Sequence, residues 1–242
     1  MQVFILDFEA TDKDAAKARP LELYVAILDP DTKRVVNSFH ALMLGPDYPP
    51  ISQEILDLTG ITLQELADNS VTPKRAFENF LSLVQKDDVL VAHNAHDYDK
   101  VLFETECRRQ AITPPAVIWV DTRYDIPYTM RNQCRILSHL ALEHGVPVDM
   151  SKLHRAKADV DLLVQIIALY DFNVVYALAT EKKLIIQADV SFEKKDLAKD
   201  LKYRWQEPCK GLFFAKKWVK QIRESELNNE RMAASFPVKV LC

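Results

Sequence analysis

Glycine is scarce in this chain, with four residues in 242. Its loops must therefore turn largely on other residues, and unusual loop shapes are expected around the regular elements. Nothing approaches the roughly 20 consecutive apolar residues of a membrane span. The opening apolar run, Val3 to Leu6, meets Asp7 and Glu9 at once, so no signal peptide is expected. A soluble cytoplasmic protein follows as the expectation. Cysteines are few as well: Cys107, Cys134, Cys209 and Cys242 show neither a CxxC nor the Cys/His spacing of a zinc site, and read as ordinary thiols of a reducing compartment. Internal repeats and low-complexity stretches are absent.

What is present is a 48% hydrophobic composition, sufficient for one substantial core and a small second unit. Net charge hides an asymmetry. From Val190 to Cys242 twelve Lys and Arg face seven Asp and Glu, a net of +5, which leaves 19 basic and 28 acidic residues, or −9, before it. A basic tail on an acidic body suits phosphate contacts that the body cannot make, although a solvated lysine-rich surface has the same composition.

Gln2 to Phe8 reads as a strand, and Leu21 to Leu28 and Arg34 to Leu44 as two more, joined by the turn Asp29-Pro30-Asp31-Thr32. Helices are expected from Ser52 to Leu58, after Thr62, and after Thr72, where Thr72 caps and Pro73 takes the first helical position. The apolar run Val89 to Ala92 predicts a strand buried on both faces that delivers His93 and Asn94 at its end. A helix over Asp99 to Arg109, a strand over Ala116 to Val120 and helices near Cys134 to Glu143 and Ala156 to Leu169 complete an α/β pattern with an antiparallel edge. From about Glu181 a small α+β unit is predicted: a strand at Leu184 to Ile186, a helix at Lys194 to Leu201, strands at Tyr203 to Trp205 and Leu212 to Val219, a polar helix from Ile222 to Met232, and a tail from Phe236 to Cys242.

Three places carry chemistry. Asp7 and Glu9, one residue apart on a strand, point to the same side. Carboxylates that close repel unless a cation lies between them, and hard oxygen donors favour Mg²⁺ or Mn²⁺. Taken alone, the pair is equally the acidic end of an edge strand. His93-Asn94-Ala95-His96-Asp97-Tyr98-Asp99 follows a strand terminus, where open α/β sheets collect ligands, although an Asp there also serves a helix dipole. His154 stands just ahead of a helix that presents Asp159, and an imidazole suits proton transfer near neutral pH.

Together these residues resemble the DnaQ-like exonucleases of DEDDh type, which include bacterial proofreading subunits and TREX-like enzymes. Asp7-Phe8-Glu9-Ala10-Thr11 is similar to the first family motif, Ala92-His93-Asn94-Ala95 with Tyr98-Asp99 to the second, and His154 with Asp159 to the third, H-x4-D. Leu58-Thr59-Gly60-Ile61-Thr62 and Val120-Asp121-Thr122 are supporting marks. The resemblance covers about residues 1 to 180. It implies a ribonuclease H-like fold with a mixed central sheet flanked by helices, and metal-dependent 3′-to-5′ hydrolysis of terminal phosphodiesters that releases nucleoside 5′-monophosphates. The implied catalytic set is Asp7, Glu9, Asp99, His154 and Asp159. Its four carboxylates would hold two divalent cations and His154 would take the proton of the attacking water. Asp99 is chosen over Asp97 because an aromatic residue precedes the family's aspartate, and Asp159 over Asp161 because it alone stands five residues after His154. Ala10, Thr11 and Asn94 are the implied contacts of the terminal nucleotide. One departure is Asp12, which takes the place of the family's usual glycine.

The motifs look closest to DNA-directed members, so DNA is favoured over RNA, with a role in repair or proofreading. RNA end-trimming and noncatalytic nucleic-acid binding are the alternatives, and a polymerase partner and a homodimer stay open. Within residues 181 to 242, Leu197-Ala198-Lys199, Tyr203-Arg204-Trp205 and Lys216-Lys217-Trp218 resemble a short module of pattern "AK…G.RW…K.W". Trp205 and Trp218 are expected in its core, with Lys202, Arg204, Lys216 and Lys217 as candidates for phosphate contacts.

Overall fold

The computed structural model describes residues 1–128, 136–151, 153–208 and 214–242. The chain divides into two compact units, Met1–Ala179 and Thr180–Cys242.

In the first unit, β1 (Val3–Ala10), β2 (Pro20–Asp29), β3 (Arg34–Leu42), β4 (Val89–Ala92) and β5 (Ile118–Asp121) form one sheet in the order β3-β2-β1-β4-β5. Strands β1 to β3 are antiparallel, and β4 and β5 run parallel to β1. β1 is the middle strand, which explains its unbroken apolar start. Its alternation sorts the two layers. Phe4, Leu6, Phe8 and Ala10 face α3 (Pro73–Leu81) and α4 (Asp99–Arg109), packing with Phe77, Phe80, Leu102 and Phe103. Val3 and Ile5 face α6 (Ala156–Ala168), packing with Val160, Leu163, Ile166 and Ile167. By the same period, Asp7 and Glu9 point toward the α6 layer.

Local signals work as read at several ends. Ser52, Thr62 and Thr72 each cap their helix, α1 (Gln53–Thr59), α2 (Leu63–Asn69) and α3, by accepting the backbone N–H three residues on. Gly60 closes α1 in the left-handed conformation at φ 67°. The segment α5 (Leu137–Glu143) follows, whereas the expected start of that helix at Cys134 lies outside the described residues. One helix was not expected: α7 (Phe172–Thr180). Its Val174-Val175 pair has low helix propensity, but burial of Phe172 and Val175 against the α6 layer and a turn at Asp171, whose carboxylate accepts the Asn173 N–H at 2.9 Å, override it.

The second unit is a four-stranded sheet in the order β7-β8-β6-β9, from β6 (Lys183–Ala188), β7 (Arg204–Gln206), β8 (Lys217–Arg223) and β9 (Val238–Val240), with α8 (Lys195–Asp200) and α9 (Leu227–Ala233). Three expectations change. The second long strand begins at Lys217 and runs through Ile222 and Arg223, so the helix expected from Ile222 starts only at Leu227; Leu212 itself lies outside the described residues. The tail is a strand, with β9 pairing β6 through Ile186 and Val240. Trp205 is not core: it stands 53% exposed on the edge strand against a tilted Trp218, while Leu184, Ile186, Ala198, Tyr203 and Ile222 fill the interior. A three-residue edge strand has no covering layer over its outer end, so an aromatic residue there meets solvent.

Candidate active site

β1 is eight residues long and β4 only four, and they pair from Val3 and Val89 onward. β1 therefore outruns its neighbour, and Asp7 and Glu9 project past the end of β4, at the sheet edge where β4 and β5 also terminate. α6 crosses this face and brings Asp159 from its first turn. One ligand atom each of Asp7, Glu9 and Asp159 lies within 4.8 Å of the others. Asp99 enters from the opposite layer at the start of α4. It is 2% exposed and its Oδ1 is buried without a hydrogen-bond partner among the described residues. Asp97 is exposed, and Asp161 is tied to Lys157 at 2.6 Å. The structure thus separates each carboxylate of the site from its near neighbour in sequence.

The electrostatics are those of a cluster awaiting positive charge. Burial, and then Asp99, Glu9 and Asp159, hold the Asp7 carboxyl well above the usual carboxylate range. Glu9 is pushed up to about 9, by burial first and then by Asp159 and Glu22. Asp99 is pushed up to about 8 by burial, against its own N–H and that of Phe8 and with the help of Asp121. Burial likewise raises Asp159. Hard oxygen donors so placed, one of them orphaned, fit a small divalent cation, which would neutralise the repulsion that otherwise protonates them.

A pH prediction follows from the sign of these shifts. A carboxyl raised in the fold keeps its proton there after the unfolded chain has lost it, so its contribution is fully present below about pH 4 and is lost as pH rises through the folded value. In EDTA the unfolding midpoint should fall from mildly acidic pH to about 9, following Glu9 and Asp99. With Mg²⁺ or Mn²⁺ the decline should vanish, because the cation takes the place of the protons. Differential scanning fluorimetry across pH, with and without the cation, checks this; a flat EDTA profile would contradict the reading.

His154 is exposed and sits at φ 63°, and its backbone N–H donates to Asp159 Oδ2 at 3.2 Å. The loop bearing it is anchored by a pair that sequence reasoning missed. Glu22 lies directly across from Glu9 on β2, on the same face, an arrangement that would repel if unpaired. Instead Glu22 accepts Arg155 Nε at 3.2 Å and Nη2 at 3.1 Å, the Ala156 N–H at 3.3 Å and His40 Nε2 at 2.8 Å. Burial pushes Glu22 up, but the bonds from His40 and Arg155 outweigh it and keep the carboxylate below its usual range. Arg155 also reaches Glu65 Oε1 of α2 at 3.0 Å. Since Arg155 offers α6 no side-chain cap, Glu22 supplies one from across the sheet, and so fixes the helix end that carries both His154 and Asp159. Arg155→Met should cost roughly 3 kcal/mol of stability and weaken Mn²⁺ binding by about tenfold or more, measured by denaturant unfolding and by titration. Wild-type values in both would show that the clamp positions nothing.

Beside Glu9 a cleft of about 280 Å³ is lined by Phe8, Ala10, Asp12, Ile55, Leu58 and Tyr98, among others. The segment Leu58-Thr59, noted in the sequence only as a supporting mark, forms one wall. Thr11 Oγ1 accepts the Arg19 N–H at 2.9 Å and keeps its own hydrogen to donate. Asp12 does without a glycine's freedom: its Oδ1 accepts the Asp14 N–H at 2.8 Å, closing an Asx turn, while its carbonyl receives the Tyr98 hydroxyl at 2.6 Å. Asn94 sits at φ 65° at the end of β4, with its side-chain oxygen accepting from Arg123.

In the second unit, Lys216 pairs with Glu207 at 2.5 Å and Lys217 donates to Gln187 at 2.6 Å, whereas Lys202 and Arg204 are exposed. No single helix among the described residues is long and apolar enough to cross a membrane.

The sequence profile of the exonuclease family RNase_T matches residues 4–167. No curated protein sequence matches the chain. Among solved structures, the chain is similar to the nuclease domain of 3′hExo, a DEDDh family member bound to rAMP, with 20% identity over 69% of this chain and 90% of that one and a TM-score of 0.58. It is also similar to E. coli exonuclease I bound to single-stranded DNA in a zinc form, with 15% identity over 98% of this chain and a TM-score of 0.65. A third similarity is to exonuclease I of E. coli in complex with a dA16 oligonucleotide, at 15% identity, 92% of this chain and a TM-score of 0.66. The chain spans 64% and 63% of the exonuclease I chains. The shared architecture is the ribonuclease H-like DEDDh exonuclease fold.

Proposed function

Because the chain belongs to the RNase_T exonuclease family, we propose that it is a 3′-to-5′ exonuclease that hydrolyses the terminal phosphodiester of single-stranded or frayed DNA and releases nucleoside 5′-monophosphates. The observation that carries the proposal is the convergence of Asp7, Glu9 and Asp159 within 4.8 Å, with buried Asp99 behind them and a cleft opening beside Glu9.

Asp7, Glu9 and Asp159 would hold one divalent cation, Mg²⁺ or Mn²⁺, and Asp7 and Asp99 would hold a second. When bound, two such cations polarise the scissile phosphate and stabilise charge on the attacking and leaving oxygens. His154, exposed on a loop fixed at Arg155 and Asp159, removes the proton of the attacking water. Ala10 and Leu58 wall the cleft that receives the terminal nucleoside, and Thr11 and Asn94 supply polar contacts to the terminal nucleotide. Lys202 and Arg204, with Lys216 and Lys217 after exchange from their present partners, contact phosphates of the nucleic acid. A role in DNA repair or proofreading follows from this activity.

The test is stepwise shortening of 5′-labelled single-stranded DNA and RNA on a gel, with Mg²⁺, Mn²⁺ or EDTA. A ladder on DNA that disappears in EDTA is expected. A stronger ladder on RNA would reassign the substrate, and binding without cleavage of either would overturn the enzymatic reading. Deleting residues 181 to 242 should weaken DNA binding and make its log–log salt dependence shallower by about 0.7 per lost phosphate contact. Equal affinity and slope in the truncated chain would remove the tail from the substrate path.

A further inference from the structure

The loops that follow β4 and β5 are fastened to each other by one carboxylate. Asp121, the last residue of β5, is fully buried, and its Oδ1 accepts the N–H groups of Asn94 at 3.0 Å and Arg123 at 2.9 Å while Oδ2 accepts that of His96 at 3.1 Å. Asp125, also fully buried, accepts the N–H of Asp121 at 3.0 Å. These bonds to backbone fix the turn on which Arg123 stands.

Its guanidinium is left short of partners. Nη1 donates to the Asn94 side-chain oxygen and the group lies 5.8 Å from the centre of the Tyr124 ring, but Nε is buried with no hydrogen-bond partner, and no carboxylate pairs with the side chain among the described residues. The other arginines set into the described structure are paired. Arg19 pairs with Asp47 and Glu106, Arg109 with Glu106, Arg155 with Glu22 and Glu65, and Arg223 with Glu226; Arg123 is the exception. A buried charged donor left unmade is costly, so its retention points to an anion that the chain itself does not provide.

The position says which anion. Asn94, which holds Arg123, accepts through its carbonyl the N–H groups of Asp97 and Tyr98 at 3.2 and 3.0 Å, forming the turn that launches α4 and Asp99. Asp121 lies close enough to raise Asp99 further. Arg123 thus stands at the same sheet edge as the carboxylates, on the side of β4 and β5. A planar guanidinium suits the paired oxygens of a phosphodiester. We infer that Arg123, oriented by Asn94, binds a backbone phosphate of the strand being degraded, upstream of the bond that is cut. The inference rests on the exonuclease reading.

The test uses fluorescence anisotropy of a labelled oligothymidylate protected by phosphorothioates at its 3′ end, in Mg²⁺, over a range of salt, with wild type, Arg123→Met and Arg123→Lys. Arg123→Met should bind roughly tenfold more weakly with a slope shallower by about 0.7, and Arg123→Lys should keep the wild-type slope. Because methionine removes an unsatisfied buried donor, the melting temperature of Arg123→Met should equal or exceed that of wild type. Unchanged affinity and slope in Arg123→Met overturn the inference, as does a loss of binding that accompanies a lowered melting temperature and persists in Arg123→Lys. A wild type that neither binds nor shortens any strand overturns the exonuclease reading instead.

Discussion

Replacing Asp7 with alanine should abolish metal-dependent hydrolysis, lowering turnover by at least about three decades, while leaving the protein folded. Asp7 is the carboxylate shared between both proposed cation positions, and its loss removes several kcal/mol of charge stabilisation, each ~1.4 kcal/mol being tenfold in rate. The fold should survive for the reason that makes the site work. Without a cation, Asp7 is a liability that burial and four neighbouring carboxylates push toward protonation. In EDTA above neutral pH, Asp7→Ala should therefore melt at or above the wild-type temperature. Gel-resolved hydrolysis and thermal unfolding of the same preparation check both halves, and retained turnover would remove Asp7 from the centre.

Asp99→Asn should lower turnover by about two to three decades, and Asp97→Asn by no more than about threefold, since only the former removes a ligand whose loss costs kcal/mol of stabilisation. The two aspartates are two residues apart in sequence but in opposite environments. Asp99 is 2% exposed with an orphaned oxygen, whereas Asp97 is exposed on the preceding turn. Asparagine preserves the shape of either side chain, so the contrast isolates charge. Measuring kcat for both variants at saturating oligonucleotide decides it; similar losses would undo the choice between the two.

The convergence of Asp7, Glu9 and Asp159 was legible because the spacings that mark them are local. Asp7 and Glu9 share a face by strand alternation, and His154 and Asp159 straddle one helix start, so neither needs tertiary knowledge. The β3-β2-β1 meander and the buried β4 were legible for the same reason. Glu22 and Arg155 were not, because their meaning depends on the register that sets Glu22 opposite Glu9 and on a helix docking 133 residues away in sequence. In the sequence Arg155 is one of the four residues between His154 and Asp159, with nothing to mark it. One clue was available: a glutamate between Leu21 and Leu23 in a strand whose next inward positions are Tyr24 and Ala26. Arg123 was invisible because nothing in Thr122-Arg123-Tyr124 shows that its carboxylate neighbours are already spent on backbone. In the second unit, interleaved Lys and aromatic residues blurred the period-two signal, and strand boundaries slid by several residues.

The left-handed backbone at His154 has an evolutionary corollary. A non-glycine residue at φ 63° carries strain of order 1 kcal/mol, which glycine would relieve. His154 is also exposed, so its side chain repays little of that strain through packing. Selection for thermal robustness alone would thus favour glycine at 154. With His154 in its proposed role, a directed-evolution campaign that screens only for survival on heating should drift toward that substitution and collect well-folded, silent proteins, and a screen for activity must score turnover in every round.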